Sequence, residues 1–353
     1  MDTKYWVVDK QLEQLEDYPQ IKEAAKLLQE NEVVAFPTET VYGLGANAKS
    51  DEAVDKIYQA KGRPSDNPLI VHIAKIEQVD EIAEDISETA RSLIAHFWPG
   101  PLTLVLKKKA NAVSEKVTPG RNTVAVRMPD HPLALALIRR ANLPLAAPSA
   151  NLSGKPSPTL AGHVSDDLSG RVAGILDGGA TGVGLESTVL DCTDEIPIIL
   201  RPGGVTKEQL EEICGKVEID RALLEEGQAP KAPGMKYKHY APTAPLYIVN
   251  GTLRFMQALI AKKQQEGYRV GVLTTNENEV SYVADAVISC GTLQDLRTVA
   301  SNLYEALRLF DKRGVDVIYS EDFPSVGIGQ AIMNRLEKAA AHKFIYENEG
   351  QNE

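Results

Sequence analysis

The chain has 353 residues, a formal net charge of −11 and an isoelectric point near 5.2. Apolar residues make up 43% and charged residues 25%, which is the balance of a globular protein and excludes a disordered or fibrous one. The acidic balance argues against a protein whose main activity is binding a nucleic-acid backbone, because that activity needs clustered Lys and Arg. The length favours two domains.

The sequence also argues against a secreted protein, a membrane protein and a metalloprotein. No apolar run has the length of a signal peptide or of a membrane span, so we expect a cytoplasmic protein that does not bind membranes. The three cysteines never form a CxxC pair, and the six histidines include no HExxH motif. We therefore expect neither a disulfide framework nor a metal ion held by protein side chains.

An N-terminal extension over residues 1–12 precedes a first domain predicted over 13–200. Short apolar runs in this domain are typical of strands, and helical patterns separate only some of them. This uneven alternation predicts an α/β fold with a large mixed, twisted sheet and flanking helices, not a regular βα repeat. Ser50 begins a convincing helix, which ends at Gly62. The predicted strands are 33–36, 69–73, 102–106, 123–128, 145–147, 174–176, 187–190 and 196–200.

The segment 37–45, PTETVYGLG, follows a buried strand pattern and combines hydroxyls, a carboxylate and two glycines. One interpretation is a ligand site at the carboxyl end of a strand. The other is a strand-to-helix turn whose Thr hydroxyls bind loop backbone. The segment alone does not separate the two.

Lys61 and Arg63 flank a glycine in a proline-punctuated loop just before the strand 69–73. Cations in this position can hold a polyphosphate. Alternatively, they only complement the macrodipole at a helix C-terminus, which explains Lys61 better than Arg63.

Two further polar residues lie on predicted strands. A lone histidine in an apolar run, such as His72, is more often a core residue than a catalyst. Arg127 ends the strand 123–128, and burying an arginine is unfavourable without an anionic partner. Arg127 is therefore predicted to bind a substrate carboxylate.

Small polar residues follow other strands. Ser149 and Asn151 lie in 148–154, PSANLSG, where Asn151 is interpreted either as a ligand of a base or ribose or as an ordinary turn residue. The glycine-rich segment 177–184 before Ser187 would let backbone approach a ligand closely. The sequence contains no GxxxxGK[ST] phosphate loop.

The rest of the chain predicts a long connection and a small second domain. The connection, 201–243, begins with RPGG and a charged, helix-like stretch. The chain is then irregular and rich in Pro, Lys and aromatics from 229 to 245, which is typical of a lid or a binding segment. Over 244–353 the elements alternate regularly, which predicts a small three-layer Rossmann-like α/β domain. Its predicted strands are 246–249, 269–274 and 315–319, and its predicted helices are 253–265, 293–310 and 330–341.

Seven segments together resemble the YrdC-type family in residues, order and spacing. The linker GMKYKHYAP (234–242) and the small domain resemble the longer, two-domain form of that family, the threonylcarbamoyl-adenylate synthases, so the resemblance covers nearly the whole chain. The seven segments are PTETVYGLGANA (37–48), KGRPSDNPL (61–69), HFWPGPLTLVL (96–106), VAVRMP (124–129), APSANLSG (147–154), ESTVLD (186–191) and RPGG (201–204).

The resemblance implies a nucleotidyltransferase that converts L-threonine, bicarbonate or CO2, and ATP into L-threonylcarbamoyl-AMP and pyrophosphate. This reaction is the first step of N6-threonylcarbamoyladenosine formation in tRNA. The resemblance further implies Mg²⁺ on the ATP phosphates and a downstream tRNA threonylcarbamoyl transferase machinery, and it leaves open a weak interaction with tRNA itself.

The resemblance also implies roles for individual residues. Catalysis needs alignment and charge neutralisation but no covalent nucleophile, so Lys61 and Arg63 are expected to act on the triphosphate. Tyr237, His239 and Tyr240 are expected to form a lid that excludes water, the alternative being a linker that only packs along the domains. Arg127 is expected on the threonine carboxylate. The expected threonine ligands are Thr40, His72, Arg127 and Ser187, and the expected ATP ligands are Lys61, Arg63, Asn67, Thr123, Ser149, Asn151, Arg201 and Tyr237.

Two other functions stay open at this point. One is a carbamoyltransferase that forms a carbamoyl-adenylate from carbamoyl phosphate, although proteins of that kind carry Cys-rich domains that this chain lacks. The other is a non-catalytic RNA-binding protein with Lys61, Arg63 and Arg121 in a basic concavity, against which the acidic balance weighs.

Overall fold

The computed structural model of the protein describes residues 2–223 and 239–347. These residues form two compact units. The first contains 2–153 and 157–223, and the second contains 154–156 and 239–347. Within the described residues, no helix is long and apolar enough to cross a membrane.

A mixed sheet forms the centre of the first unit. Over residues 2–223 it has twelve strands in the order β1-β9-β2-β3-β8-β4-β7-β6-β10-β11-β12, with β5 paired to β6. The strands are β1 Lys4–Val7, β2 Val34–Phe36, β3 Gly43–Asn47, β4 Ile70–His72, β5 Ala83–Glu84, β6 Leu102–Lys108, β7 Thr123–Arg127, β8 Leu145–Ala146, β9 Gly174–Asp177, β10 Thr188–Asp191, β11 Ile198–Arg201 and β12 Glu218–Ile219. The helices are α1 Pro19–Gln29, α2 Asp51–Lys61, α3 Gln78–Ile82, α4 Glu88–Phe97, α5 Pro132–Ala141, α6 Ala161–Leu168 and α7 Lys207–Cys214.

The large mixed sheet with flanking helices confirms the predicted fold class. One interpretation was wrong. The segment 37–45 is not a strand-to-helix turn, because Gly43–Asn47 forms a strand that pairs antiparallel with β2. The two strands make a hairpin whose connecting residues are 37–42. The N-terminal extension also contributes β1, which pairs in parallel with β9.

The sheet has apolar contacts on both faces. Alternate residues of a strand point to opposite faces, and along β2 Val34 and Phe36 join one core cluster while Ala35 joins another. The first core, which includes Ala35, packs against α2 and α4, and the second packs against α1 and α5. Both faces of this part of the sheet are therefore covered.

A smaller apolar cluster lies on strands β4, β6, β7, β10 and β11. We call it the floor cluster, and its members are Ile70, Val105, Ala125, Val189 and Leu200. On β7 the residues beside Ala125, Val124 and Val126, belong to the first core. Because side chains alternate along a strand, the floor cluster lies on the opposite face of the sheet from the first core.

In the second unit, the described residues form one parallel sheet of five strands in the order β15-β14-β16-β13-β17. The strands are β13 Leu246–Asn250, β14 Val270–Thr274, β15 Ala286–Ser289, β16 Val317–Glu321 and β17 Phe344–Tyr346, and the helices are α8 Leu253–Gln265, α9 Leu296–Arg313 and α10 Gly329–Ala339. The predicted small α/β domain is confirmed, but its sheet has two strands, β15 and β17, that were not predicted. Both are edge strands and are only partly buried.

Candidate active site

His72 and Arg127 end two neighbouring strands. β4 and β7 pair in parallel, with His72 opposite Arg127 in the register. Each side chain lies two residues beyond a member of the floor cluster, Ile70 or Ala125, so both point to the face that carries this cluster. The fold therefore brings together two residues that are 55 positions apart in the sequence.

Arg127 has three polar contacts although its side chain is only 5% exposed. Its Nη1 donates to Thr40 Oγ1 at 3.0 Å, and its Nε donates to the carbonyl of Gly100 at 3.3 Å. Its Nη2 lies 2.6 Å from Glu39 Oε1, which makes a buried ion pair. The anionic partner expected for a buried arginine thus comes from the protein itself.

His72 is buried and neutral. Its Nδ1 lies 3.2 Å from the carbonyl oxygen of Ile70, which can only accept, so Nδ1 carries the proton and Nε2 presents a lone pair. Burial, followed by the charge of Arg127, lowers the pKa of His72 from 6.5 to about 3. His72 therefore offers a hydrogen-bond acceptor, and it is too weakly basic to take up a proton near neutral pH.

Ser187 lies where the predicted threonine and ATP ligands meet. Its hydroxyl is 2.7 Å from Thr103 Oγ1 on β6, and both residues are buried. Arg201, which was assigned to ATP, donates from Nη2 to the Ser187 carbonyl at 2.9 Å and to its hydroxyl at 3.3 Å. Arg201 thus fixes the backbone and the side chain of a predicted threonine ligand.

Lys61 is buried at the end of α2. Ser50 caps the start of this helix, where its side chain accepts from the Ala53 amide, and Gly62 ends the helix in the left-handed conformation at φ 60°. The ammonium group of Lys61 donates to the carbonyls of Ser149 and Asn151 at 2.5 and 2.6 Å. Lys61 therefore fixes the loop that carries two predicted ATP ligands.

The same loop is held by its own side chains. Ser149 Oγ donates to Asn151 Oδ1 at 2.6 Å, and Asn151 Nδ2 donates to the Leu152 carbonyl at 2.8 Å. Lys61 Nζ also lies 3.3 Å from Asn151 Oδ1. The side-chain amide of Asn151 thus takes part in shaping the loop.

Arg63 and Asn67 belong to the loop that leads into β4. Arg63 is half-buried, and its Nη2 lies 3.4 Å from the Pro68 carbonyl. Asn67 is buried, and the hydroxyl of Tyr58 donates to its backbone carbonyl at 3.0 Å. The same hydroxyl also lies 2.9 Å from the Lys116 carbonyl, and burial raises the pKa of Tyr58 to about 12.

Thr123 begins β7 and lines a cavity of about 280 Å³. Three members of the floor cluster, Val105, Ala125 and Leu200, line the same cavity. The lining also includes the charged residues Arg121 and Asp191. An apolar lining with a few polar groups suits a flat heteroaromatic ring.

The predicted lid residues are placed as follows. Tyr240 lies in the second unit, where its ring stacks on Tyr304 with the ring centroids 5.3 Å apart, and the guanidinium of Arg335 lies 5.7 Å from its centroid. His239 is buried, and its ring centroid is 5.6 Å from that of Tyr240. Tyr237 lies outside the described residues. A lid role for these three stays a prediction.

Sequence reasoning missed several residues of the site. Glu39 lies inside the singled-out segment 37–45, but no local pattern showed that it would meet Arg127. Thr103 carries a hydroxyl within an apolar strand, and the alternation of β6 could have placed it on the same face as Val105.

In residues 2–223 and 239–347, no cluster of three or more His, Cys, Asp or Glu has the arrangement of a metal site.

Known proteins share this architecture. A family model for Sua5, YciO and YrdC proteins, described as "Telomere recombination", matches residues 26–203, and one described as "Threonylcarbamoyl-AMP synthase, C-terminal domain" matches residues 205–341. A threonylcarbamoyl-AMP synthase of Bacillus subtilis is 61% identical over 345 residues, which are 98% of this chain and 100% of that protein. The chain belongs to the Sua5/YrdC family.

Similarity to Sua5 extends over both domains. A threonylcarbamoyl-AMP synthase of Pyrococcus abyssi is 49% identical over 94% of this chain and 97% of its own length. The crystal structure of P. abyssi Sua5 complexed with L-threonine matches with a TM-score of 0.91 at 47% identity, covering 98% of this chain and 99% of that one. The resemblance stated from the motifs to the two-domain form of the family is thus confirmed.

Proposed function

We propose that this chain is an L-threonylcarbamoyl-AMP synthase, a nucleotidyltransferase that joins L-threonine, CO2 or bicarbonate, and ATP with release of pyrophosphate. The observation that carries the proposal is the layout of one sheet face. It has a buried guanidinium at one end of β7, Arg127, and an apolar cavity at the other end, beside Thr123. The names of the relatives across both domains support the same reaction.

The dimensions of this face suit the product. Thr123 and Arg127 are four residues apart on a strand, which corresponds to roughly 13 Å. We assign the adenine ring to the cavity at the Thr123 end and the threonine carboxylate to Arg127. The reacting α-phosphate and carbamate would lie between them, near Ser187 and Arg201.

The reaction requires little covalent chemistry from the protein. The threonine ammonium group first loses a proton, and the resulting amine adds to CO2 with loss of a second proton. An oxygen of the carbamate then attacks the α-phosphate while pyrophosphate leaves. Alignment of the carbamate with the α-phosphate and neutralisation of the triphosphate charge are then the main catalytic effects.

The remaining predicted ligands are assigned to the phosphates and to neighbouring groups. Arg63 is assigned to the triphosphate, together with Mg²⁺ that arrives on the ATP. Lys61 is also assigned to the triphosphate. Because it is buried and bonded to the carbonyls of Ser149 and Asn151, we assign it a second role in fixing the loop that contains them. By fixing this loop it holds the amides and side chains that would face the nucleotide.

The product is labile, which supports a lid over the site and a downstream enzyme that accepts the product. A carbamoyl-adenylate hydrolyses readily, so water must be excluded until the product is handed on. We assign this task to Tyr237, His239 and Tyr240, and we expect a tRNA threonylcarbamoyl transferase machinery to accept the adenylate in the cytoplasm.

Omission of single substrates tests the proposal. Pyrophosphate release from ATP is measured with threonine and bicarbonate together, with each omitted in turn, and with carbamoyl phosphate in place of both. We expect release only in the complete mixture. Release with carbamoyl phosphate alone would identify a carbamoyltransferase, and salt-sensitive RNA binding without any release would identify an RNA-binding protein.

A further inference from the structure

The backbone of Glu39 is anchored in the hairpin between β2 and β3. Its backbone carbonyl accepts from the amides of Gly182 and Val183 at 3.1 and 2.7 Å. Its side chain is 13% exposed. The backbone at Glu39 is therefore fixed by a loop far along the chain, and the side chain is largely shielded from solvent.

The carboxylate of Glu39 has the charge of Arg127 beside it but no aligned hydrogen-bond donor. Oε1 lies 2.6 Å from Arg127 Nη2, yet among the described residues neither carboxylate oxygen accepts a hydrogen bond of good geometry. The guanidinium of Arg127 compensates the charge, but a buried carboxylate has lone pairs for further donors, and native structures seldom leave them unsatisfied. A ligand that brings N–H donors would satisfy it.

An α-amino acid has the matching arrangement of charges. Its ammonium nitrogen is bonded to the α-carbon that also carries the carboxylate, so the nitrogen lies about 3 Å from the nearer carboxylate oxygen. A carboxylate on Arg127 thus brings the ammonium group beside the neighbours of Arg127. Of these neighbours Thr40 and His72 are neutral acceptors, and Glu39 carries the negative charge.

We propose that Glu39 binds the α-ammonium group of threonine and selects an amino acid over a hydroxy acid of the same shape. The inference rests on the proposed function, because it takes threonine as the ligand of Arg127. In the free protein Glu39 and Arg127 pair with each other, and in the complex each pairs with the opposite charge of the ligand.

Two other titratable groups face Glu39. Burial, and then the charge of Glu39, raises the pKa of the exposed carboxyl of Asp130. Burial lowers the pKa of His131 to about 4, so His131 is neutral near pH 7. Neither of these two groups supplies a cation to Glu39 near neutral pH.

Calorimetric binding to the full chain tests the inference with two ligands. L-threonine is compared with 2,3-dihydroxybutanoate of the same configuration, which keeps the carboxylate and the β-hydroxyl but replaces the ammonium group by a hydroxyl. We expect the unaltered protein to bind threonine at least 30-fold more tightly, the equivalent of about 2 kcal/mol. Equal binding of the two ligands would overturn the inference without any variant.

The variant Glu39→Gln keeps the side-chain shape and removes the charge. It should weaken threonine binding about 30-fold but should not weaken binding of the hydroxy acid, because it also removes the anion that competes for Arg127. A purely structural role would weaken both equally. Glu39→Asp should keep the preference for threonine. The matched control is Glu115→Gln, at a surface carboxylate that is 72% exposed, and it should bind both ligands like the unaltered protein.

The outcomes separate this inference from the proposed function. Threonine binding that Glu39→Gln leaves within threefold would overturn the role of Glu39 and leave the synthase proposal standing. Failure of the unaltered protein to bind threonine or to release pyrophosphate would overturn both.

Discussion

Side chains that bind ions or protons could be predicted from the sequence where a charged or polar residue lies on a strand that is otherwise apolar. Arg127 ends an apolar strand, so the sequence alone indicated that it needs an anion. The identity of that anion could not be predicted, because Glu39 is brought to it by backbone bonds from Gly182 and Val183, more than 140 positions along the chain. Thr103 escaped notice because it lies within an apolar run.

Arg127→Lys should raise the KM for threonine and leave the KM for ATP nearly unchanged. Lysine keeps the positive charge next to Glu39 but cannot contact a carboxylate with two parallel N–H groups. We expect a 10- to 100-fold increase, the equivalent of roughly 1.4–2.8 kcal/mol, in steady-state assays of pyrophosphate release.

The control for this substitution is Arg139→Lys, at a surface arginine on α5 whose side chain is 40% exposed. It should leave both KM values unchanged. A threonine KM that Arg127→Lys does not alter would argue against a carboxylate at Arg127.

His72 should make the protein less stable in mild acid. Its pKa is about 3 in the folded protein, whereas an unperturbed histidine, as in an unfolded chain, has a pKa of 6.5, so below pH 6.5 the unfolded state binds more protons. The free energy of unfolding should therefore fall as the pH drops from 6.5 towards 3, by up to roughly 1.4 kcal/mol per pH unit from this group.

Denaturant unfolding of His72→Gln between pH 7 and 4 measures this contribution. The variant should be less stable at pH 7 but should lose stability less steeply than the unaltered protein. His96→Gln, at an exposed histidine on α4, should keep the original slope. Identical slopes for all three proteins would show that His72 does not stay neutral in the fold.

At the level of whole elements, strands with apolar, β-branched residues were predicted almost to the residue, as β6 and β7 show. Gly43–Asn47 was missed because glycine and asparagine disfavour strands, and only pairing with β2 and β8 makes this segment extended. The edge strands β15 and β17 are short and half-buried, so their hydrophobic pattern is weak.

Gly203→Ala should disrupt the backbone at Ser187, just before strand β10 begins. A Cβ atom at position 203 would lie 2.3 Å from the Ser187 carbonyl carbon and from the Thr188 amide nitrogen, both of which are backbone atoms. We expect a loss of about 1–3 kcal/mol in the free energy of unfolding and a raised KM for threonine.

Gly162→Ala is the matched control within α6, where a Cβ atom would meet nothing within 4 Å. Alanine favours helix over glycine, and Gly162 lies in the first turn of α6, so this variant should keep the stability of the unaltered protein or gain up to about 1 kcal/mol. If Gly203→Ala had the same stability as the unaltered protein, the close packing of Gly203 against the backbone of Ser187 and Thr188 would be refuted.

For the whole molecule, the sequence predicted two α/β domains because its periodicity changes near residue 246. It could not predict that 154–156, in the middle of the first domain's sequence, belongs to the second unit. Arg308 donates to the Pro156 carbonyl at 2.5 Å, and the Ala241 amide donates to the Gly154 carbonyl at 3.0 Å. Such contacts depend on the folded chain and leave no local pattern.

The most direct test of the proposed substrate positions is a crystal structure of the full chain with L-threonine and a non-hydrolysable ATP analogue. We predict threonine density at the His72 and Arg127 end of β7, with its carboxylate on Arg127, and adenine density over Val105, Ala125 and Leu200. Threonine bound away from Arg127, or an adenine ring outside the cavity beside Thr123, would contradict the proposed arrangement of substrates on this sheet face.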